Sequence, residues 1–116
     1  MSERDEPLAL LVILTVARAK LDEFRAFEQQ AARILRAHGG AIERALVFAA
    51  EDPQHLKEVH VVSFPNAQAF ESYRADTELA ALAPLRERVI AATDIWVGRN
   101  GPVYVANPGA GATLGE

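Results

Sequence analysis

Glu58 and His60 stand two residues apart in the β-rich segment Glu58–Phe64 (EVHVVSF). That spacing puts both side chains on one face of an extended strand. A carboxylate beside an imidazole is an arrangement that orients a general base. The competing reading is structural, because Val62 and Phe64 continue the same face and Phe64 leads into the turn at Pro65. His55 adds a third ligand type, and His55, Glu58 and His60 resemble a facial metal triad. With His55 in a loop and no further ligand beside it, no metal is expected. Asp94 and Trp96 also share a strand face, where an indole donor beside a carboxylate suits a polar aromatic or keto–enol ligand. Alternatively, Trp96 fills a subunit interface with Asp94 at the strand entrance. Arg44, between Ile42 and Leu46, either snorkels at a sheet edge or clamps an anionic ligand group. Ser63 is a further ligand-binding candidate, but it lies on the opposite strand face from His60, so the two form no single-face pair.

Two nucleophile and phosphate motifs are excluded. There is no Gly-x-Ser-x-Gly elbow for a serine hydrolase. The glycine run Gly109–Gly115 has no strand leading into it and only Glu116 after it, so it does not read as a dinucleotide loop.

The elements that must position these residues follow from the hydrophobic period. Leu8–Val16 is apolar on both strand faces. Lys20–His38 then carries Leu21, Phe24, Phe27, Ala31, Ile34 and Leu35 at helical spacing, ending at Gly39-Gly40. His38 is expected to face the free carbonyls of that helix end. Ala41–Ala49 and Glu58–Phe64 read as two further strands. Asn66 caps a helix through Arg74, with Tyr73 packing inward, and a helical stretch over Thr77–Ala92 is interrupted at Pro84. Thr93–Gly98 is the fourth strand. The order β-α-β-β-α-β predicts a four-stranded antiparallel sheet with the helices on one face. Helices cover only one side of the first strand, so its other apolar side needs a cover, and a second copy of the sheet is the simplest one.

Composition bounds the rest. At 116 residues and 12.6 kDa the chain is one domain, and about two-thirds of its surface is buried on folding. Alanine supplies 22 of the apolar residues, which leaves the core to Leu, Val, Ile and the aromatics. The net charge of −4, with ten scattered arginines and two lysines, argues against nucleic acid. Strand one also has no aromatic, and strand three only Phe64 at its end, where RNA-recognition domains stack bases on aromatics of both strands. Absence of cysteine removes disulfide, thiolate and Cys-based metal chemistry. Leu8–Ala17 looks like a signal-peptide core, but acids precede it and it is about half the roughly 20 residues that span a bilayer. A cytoplasmic protein without membrane contact is expected.

Several segments together resemble the dimeric α+β barrel superfamily. They are the apolar first strand, His38-Gly39-Gly40, Ser63-Phe64-Pro65-Asn66, Thr77–Arg86 (TELAALAPLR) and Asp94-Ile95-Trp96-Val97-Gly98. Within that superfamily the sequence is most similar to a small uncharacterised bacterial family known only as a domain of unknown function. It departs from that family at Ala19-Lys20-Leu21, where Asp-Pro is common. The resemblance spans residues 8–99 and implies a ferredoxin-like α+β domain, with residues 1–7 as an N-terminal arm and 100–116 as an extended tail. It further implies a homodimer whose two sheets close around a cavity for a small organic ligand. Relatives include cofactor-free monooxygenases, isomerases and dehalogenases, so the implied function is an enzyme without cofactor or metal acting on a small aromatic or carbonyl compound. A ligand-binding or regulatory module, or a purely structural dimer, are the alternatives. Pro102–Ala106 (PVYVA) is too apolar for a free end and is expected to pack on a neighbouring surface.

Overall fold

A computed structural model describes residues 5–104. Strand β1 (Leu8–Ala17) leads through a single 3₁₀ turn (Arg18–Lys20) into helix α1 (Leu21–Ala37). No side chain caps α1; Lys20 Nζ instead donates to the carbonyl of Arg88, tying this corner to the end of the helical layer. Gly39, at φ 83°, supplies the left-handed residue that ends α1, and the Gly40 N–H returns to the Leu35 carbonyl. A Cβ on Gly40 would sit 2.8 Å from Leu35 and from Phe64, so the close approach of α1 to the sheet also requires glycine there.

Strands β2 (Ala41–Ala49) and β3 (His55–Phe64) form a hairpin. β3 begins three residues earlier than its hydrophobic pattern predicts. Asp52 explains this: its carboxylate accepts from the Gln54 N–H and pairs with the His55 ring, closing a tight turn around Pro53. His55 is therefore a strand residue opposite Ala17, not a loop residue. The helical stretch after β3 comprises α2 (Ala67–Arg74), α3 (Thr77–Ala81) and α4 (Ala83–Val89). Asn66 caps α2 and Asp76 caps α3, while Pro84 lies in the first turn of α4. Strand β4 (Ala92–Gly98) starts one residue before its expected place.

The sheet order is β2-β3-β1-β4, all neighbours antiparallel, with the helices on one face. Register settles which face is which. Leu10, Leu14 and Val16 of β1 and Leu56, Glu58, His60, Val62 and Phe64 of β3 are buried beneath the helices. The odd positions of β1 and β3 form the open face, joined by Arg44, Leu46 and Phe48 of β2 and by Asp94 and Trp96 of β4. Two core clusters lie under the helices. One gathers Leu14, Val16, Phe24, Phe27, Leu56 and Val89; the other holds Leu10, Leu35, Val62 and Phe64. Among the described residues, no helix is long and apolar enough to cross a membrane. Val103 and Tyr104 are exposed, and residues 105–116 of the expected tail lie outside the described residues.

Candidate functional site

Between the two core clusters a cavity of about 360 Å³ separates the sheet from the helices. Leu10, Val12 and Leu14 of β1 floor it, Phe27, Ala31 and Leu35 of α1 form one wall, and Phe70 and Tyr73 of α2 form another. Exposed Ala80, Ala83 and Ile95 stand where the lining meets solvent. Five polar side chains interrupt this apolar lining: Glu28, His60, Tyr73, Arg74 and Arg86.

His60 is 4% exposed and Glu58 8% exposed. The His60 Nε2–H donates to Glu58 Oε2 at 2.8 Å. A carboxylate only accepts, so the bond fixes the tautomer and leaves the Nδ1 lone pair on the other side of the ring. That nitrogen lies 3.9 Å from Glu28 Oε1. Behind the pair, Arg25 reaches Glu58 Oε1 at 3.7 Å. The three groups thus run Glu28, His60, Glu58 from α1 across to β3.

Glu28 is held above the ordinary glutamate range chiefly because burial penalises its charged form, with Glu58 adding repulsion and His60 and Arg86 opposing. Burial also pushes the Tyr73 phenol up to about 12, with Glu28 adding to the shift. Burial thus shifts both groups toward their proton-bearing forms. Neither side chain has a hydrogen-bond partner among the described residues, so the Tyr73 O–H, and the Glu28 carboxyl when it carries its proton, can donate into the cavity. Arg86 donates to the Thr93 hydroxyl at 2.9 Å and has no carboxylate within ion-pair distance among the described residues. Arg74 lies over the Phe70 ring at 5.4 Å, with Glu71 at 3.7 Å.

The sequence-derived candidates divide between the two faces of the sheet. His60 and Glu58 come together at the cavity. His55 faces the other way, so the three residues of the triad-like spacing, His55, Glu58 and His60, do not share one face. Arg44, Ser63, Asp94 and Trp96 all lie on the open face. There Ser63 donates to Glu43 at 2.6 Å, and Trp96, 69% exposed, borders a shallow groove with Leu11, Val61 and Gly98. Arg44 on one edge strand stands three strands from Trp96 on the other, roughly 14 Å, so a single chain does not bring them together. His38 does not face the α1 carbonyls; its Nε2 meets Asp76 Oδ2 at 2.7 Å, and its ring meets Tyr73 edge-on.

Sequence reasoning passed over Glu28 and Arg86 as site residues and took Tyr73 for a packing residue. The missed signal was a charge on an apolar stripe: Phe24, Glu28, Ala31 and Leu35 share one helical face, as do Leu82, Arg86 and Val89.

Solved structures share this architecture. A cofactor-independent oxygenase, SnoaB from Streptomyces nogalater, superposes with a TM-score of 0.66 at 11% identity, covering 84% of this chain and 96% of its own. A candidate antibiotic biosynthesis monooxygenase from Caulobacter crescentus gives 0.67 at 14% identity, covering 86% and 94%. A protein of unknown function from Rhodopseudomonas palustris gives 0.69 at 15%, covering 86% of each chain. The fold is that of the dimeric α+β barrel proteins. At such identities the likeness is one of fold alone. No protein-family model matches the sequence, and none of the curated proteins does.

Proposed function

We propose that this α+β barrel protein binds a small aromatic or carbonyl compound in the cavity under its helices and removes a proton from it, with His60 as the base. The observation that carries the reading is the His60–Glu58 pair at the wall of an otherwise apolar cavity. The bond to Glu58 orients the imidazole, stabilises the imidazolium formed on proton uptake and directs Nδ1 away from Glu58. Arg86, without a carboxylate partner among the described residues, supplies a cation for the anion that proton loss creates. Oxygenation or isomerisation would each begin from that anion. The cavity is at the small end of the roughly 300–1,000 Å³ range of ligand sites, enough for one or two rings.

Sharing a fold with a cofactor-independent oxygenase supports chemistry that needs no bound cofactor. The segments that resemble the uncharacterised bacterial family occupy joints of the fold: the end of α1, the β3–α2 corner, the α3–α4 junction and the edge strand. They support that kinship without assigning a reaction. A second copy of the chain over the open face belongs to the same reading.

The test is a thermal-shift screen with small phenols, quinones and cyclic ketones, followed by turnover assays on each hit. A ligand that raises the melting temperature by several degrees in the parent protein, but not in Tyr73→Phe or His60→Gln, supports the cavity as the site. Turnover lost in His60→Gln supports the base. Binding that depends on the cavity, with turnover in no variant, would favour the non-catalytic ligand-binding module. No stabilising compound, or hits indifferent to both substitutions, would sink the reading.

A further inference from the structure

We infer that Glu28 and His60 form a proton-transfer pair for an unsaturated cyclic ketone, moving a hydrogen from one carbon to another without an oxidant. The inference rests on the reading of the cavity as a ligand site with His60 as its base, and adds both a second catalytic residue and a substrate class.

The geometry is specific. Glu28 Oε1 and His60 Nδ1 are 3.9 Å apart on opposite layers, α1 and β3, and both border the same cavity. A carbonyl oxygen and a hydrogen on the adjacent carbon are roughly 3 Å apart, given bond lengths near 1.2 and 1.5 Å. A single ketone can therefore present its oxygen to Glu28 and its α-hydrogen to His60 together. The Tyr73 O–H donates, as does the Glu28 carboxyl when it carries its proton, and such donors select an acceptor such as a carbonyl oxygen rather than another donor. The aromatic and aliphatic lining suits a ring, and burial favours the protonated carboxyl that an acid catalyst needs.

The step balances within the site. His60 Nδ1 takes the α-hydrogen of a β,γ-unsaturated ketone as a proton, while Glu28 gives its proton to the carbonyl oxygen. The electron pair of the broken C–H bond forms the new C=C bond of a dienol. The carboxylate of Glu28 then recovers the hydroxyl proton as the imidazolium of His60 protonates the γ-carbon. The product is the conjugated α,β-unsaturated ketone, and both residues return to their starting states.

Cyclohex-3-en-1-one is the probe, and its conversion to cyclohex-2-en-1-one is followed by the absorbance of the conjugated enone, with deuterium incorporation read in heavy water. The parent protein should exceed the buffer rate with a bell-shaped pH profile. Glu28→Gln should fall by about 100-fold and lose one limb of the bell. Glu28→Asp, which restores an acid, should recover part of the rate and both limbs. The profile reflects every charged group facing Glu28, namely His60 and Glu58 from β3, Arg86 from α4 and Tyr73 from α2. Unchanged rate and profile in Glu28→Gln would overturn the pair. So would a probe that binds, judged by stabilisation and by shifted His60 imidazole resonances, yet isomerises no faster than in buffer; that result leaves the ligand site standing. A probe that fails to bind at millimolar concentration overturns the ketone class, while the wider screen decides the site independently.

Discussion

Two buried ionisable residues side by side on a sheet are costly unless each completes the other. Glu58 and His60 meet that condition, since the carboxylate takes the ring N–H that burial would otherwise strand. Glu58→Gln preserves an acceptor for that N–H and should shift stability little. Glu58→Leu fills the space but leaves the imidazole unpaired, and should cost about 1–3 kcal/mol in urea unfolding. Equal stability of the two variants would show that the bond only decorates the core. Part of this was legible in the sequence: two residues at strand spacing must share a face. Whether that face pointed to helices or to a partner was not, because β1 is apolar on both sides. Glu28 was legible in principle, since an acid inside the Phe24–Leu35 stripe has no reason to be there for packing. Its approach to His60 depends on how α1 crosses β3, which no local pattern encodes.

At the level of elements, the cavity has a roof held by few contacts. α2 and α3 contribute Phe70, Tyr73, Leu79 and Ala80 to its lining, yet neither helix has a fully buried residue. What ties their junction to α1 is Asp76. One oxygen caps α3 by accepting from Glu78 and Leu79 N–H, and the other meets the His38 ring. The bond from His38, reinforced by the cap, holds the Asp76 carboxyl below its usual value of 3.8. A carboxyl lowered on folding stabilises the fold above its unfolded value, near about 3.9, and that contribution fades as pH falls through the lowered folded value. Asp76→Asn keeps the cap but loses the charge facing His38. It should therefore melt below the parent at about pH 5 and converge with it toward about pH 2. A gap that persists undiminished in acid would exclude the His38–Asp76 pair as its source. The Asp76 cap at α3 was not read from the sequence, although Asp76 stands directly before the expected helical start at Thr77; the division of that stretch at Leu82, ahead of Pro84, was not read either. The Asp52 turn hid the start of β3 in the same way: short polar side chains that bond their own backbone make structure without hydrophobic period.

At the scale of the whole molecule, the open face of the sheet calls for a cover. Leu11 and Ile13, Val59 and Val61, Leu46 and Phe48, with Trp96, form a sheet face that no helix among the described residues covers. Phe48 is 52% exposed and Trp96 69% exposed. Antiparallel sheets normally turn a polar side to water, and burying a large apolar side chain is worth roughly 1.5–3 kcal/mol. A face this apolar is most stable against another like it, and a two-fold axis lets the same residues supply both halves. Light scattering should give twice the 12.6 kDa chain mass at micromolar concentration. Trp96 fluorescence should shift to the red and become open to quenchers on dilution. Val61→Asp separates association from folding: Val61 is already 36% exposed in one chain, so the charge stays hydrated in the monomer and is buried only in the dimer. The variant should sediment as a folded monomer with a native circular-dichroism spectrum and a lower melting temperature. Because the cavity lies between sheet and helices of one chain, that monomer should still bind ligand, more weakly if the pairing stiffens the sheet. A parent protein that stays monomeric, or a Val61→Asp variant that remains dimeric, would reject pairing through this face.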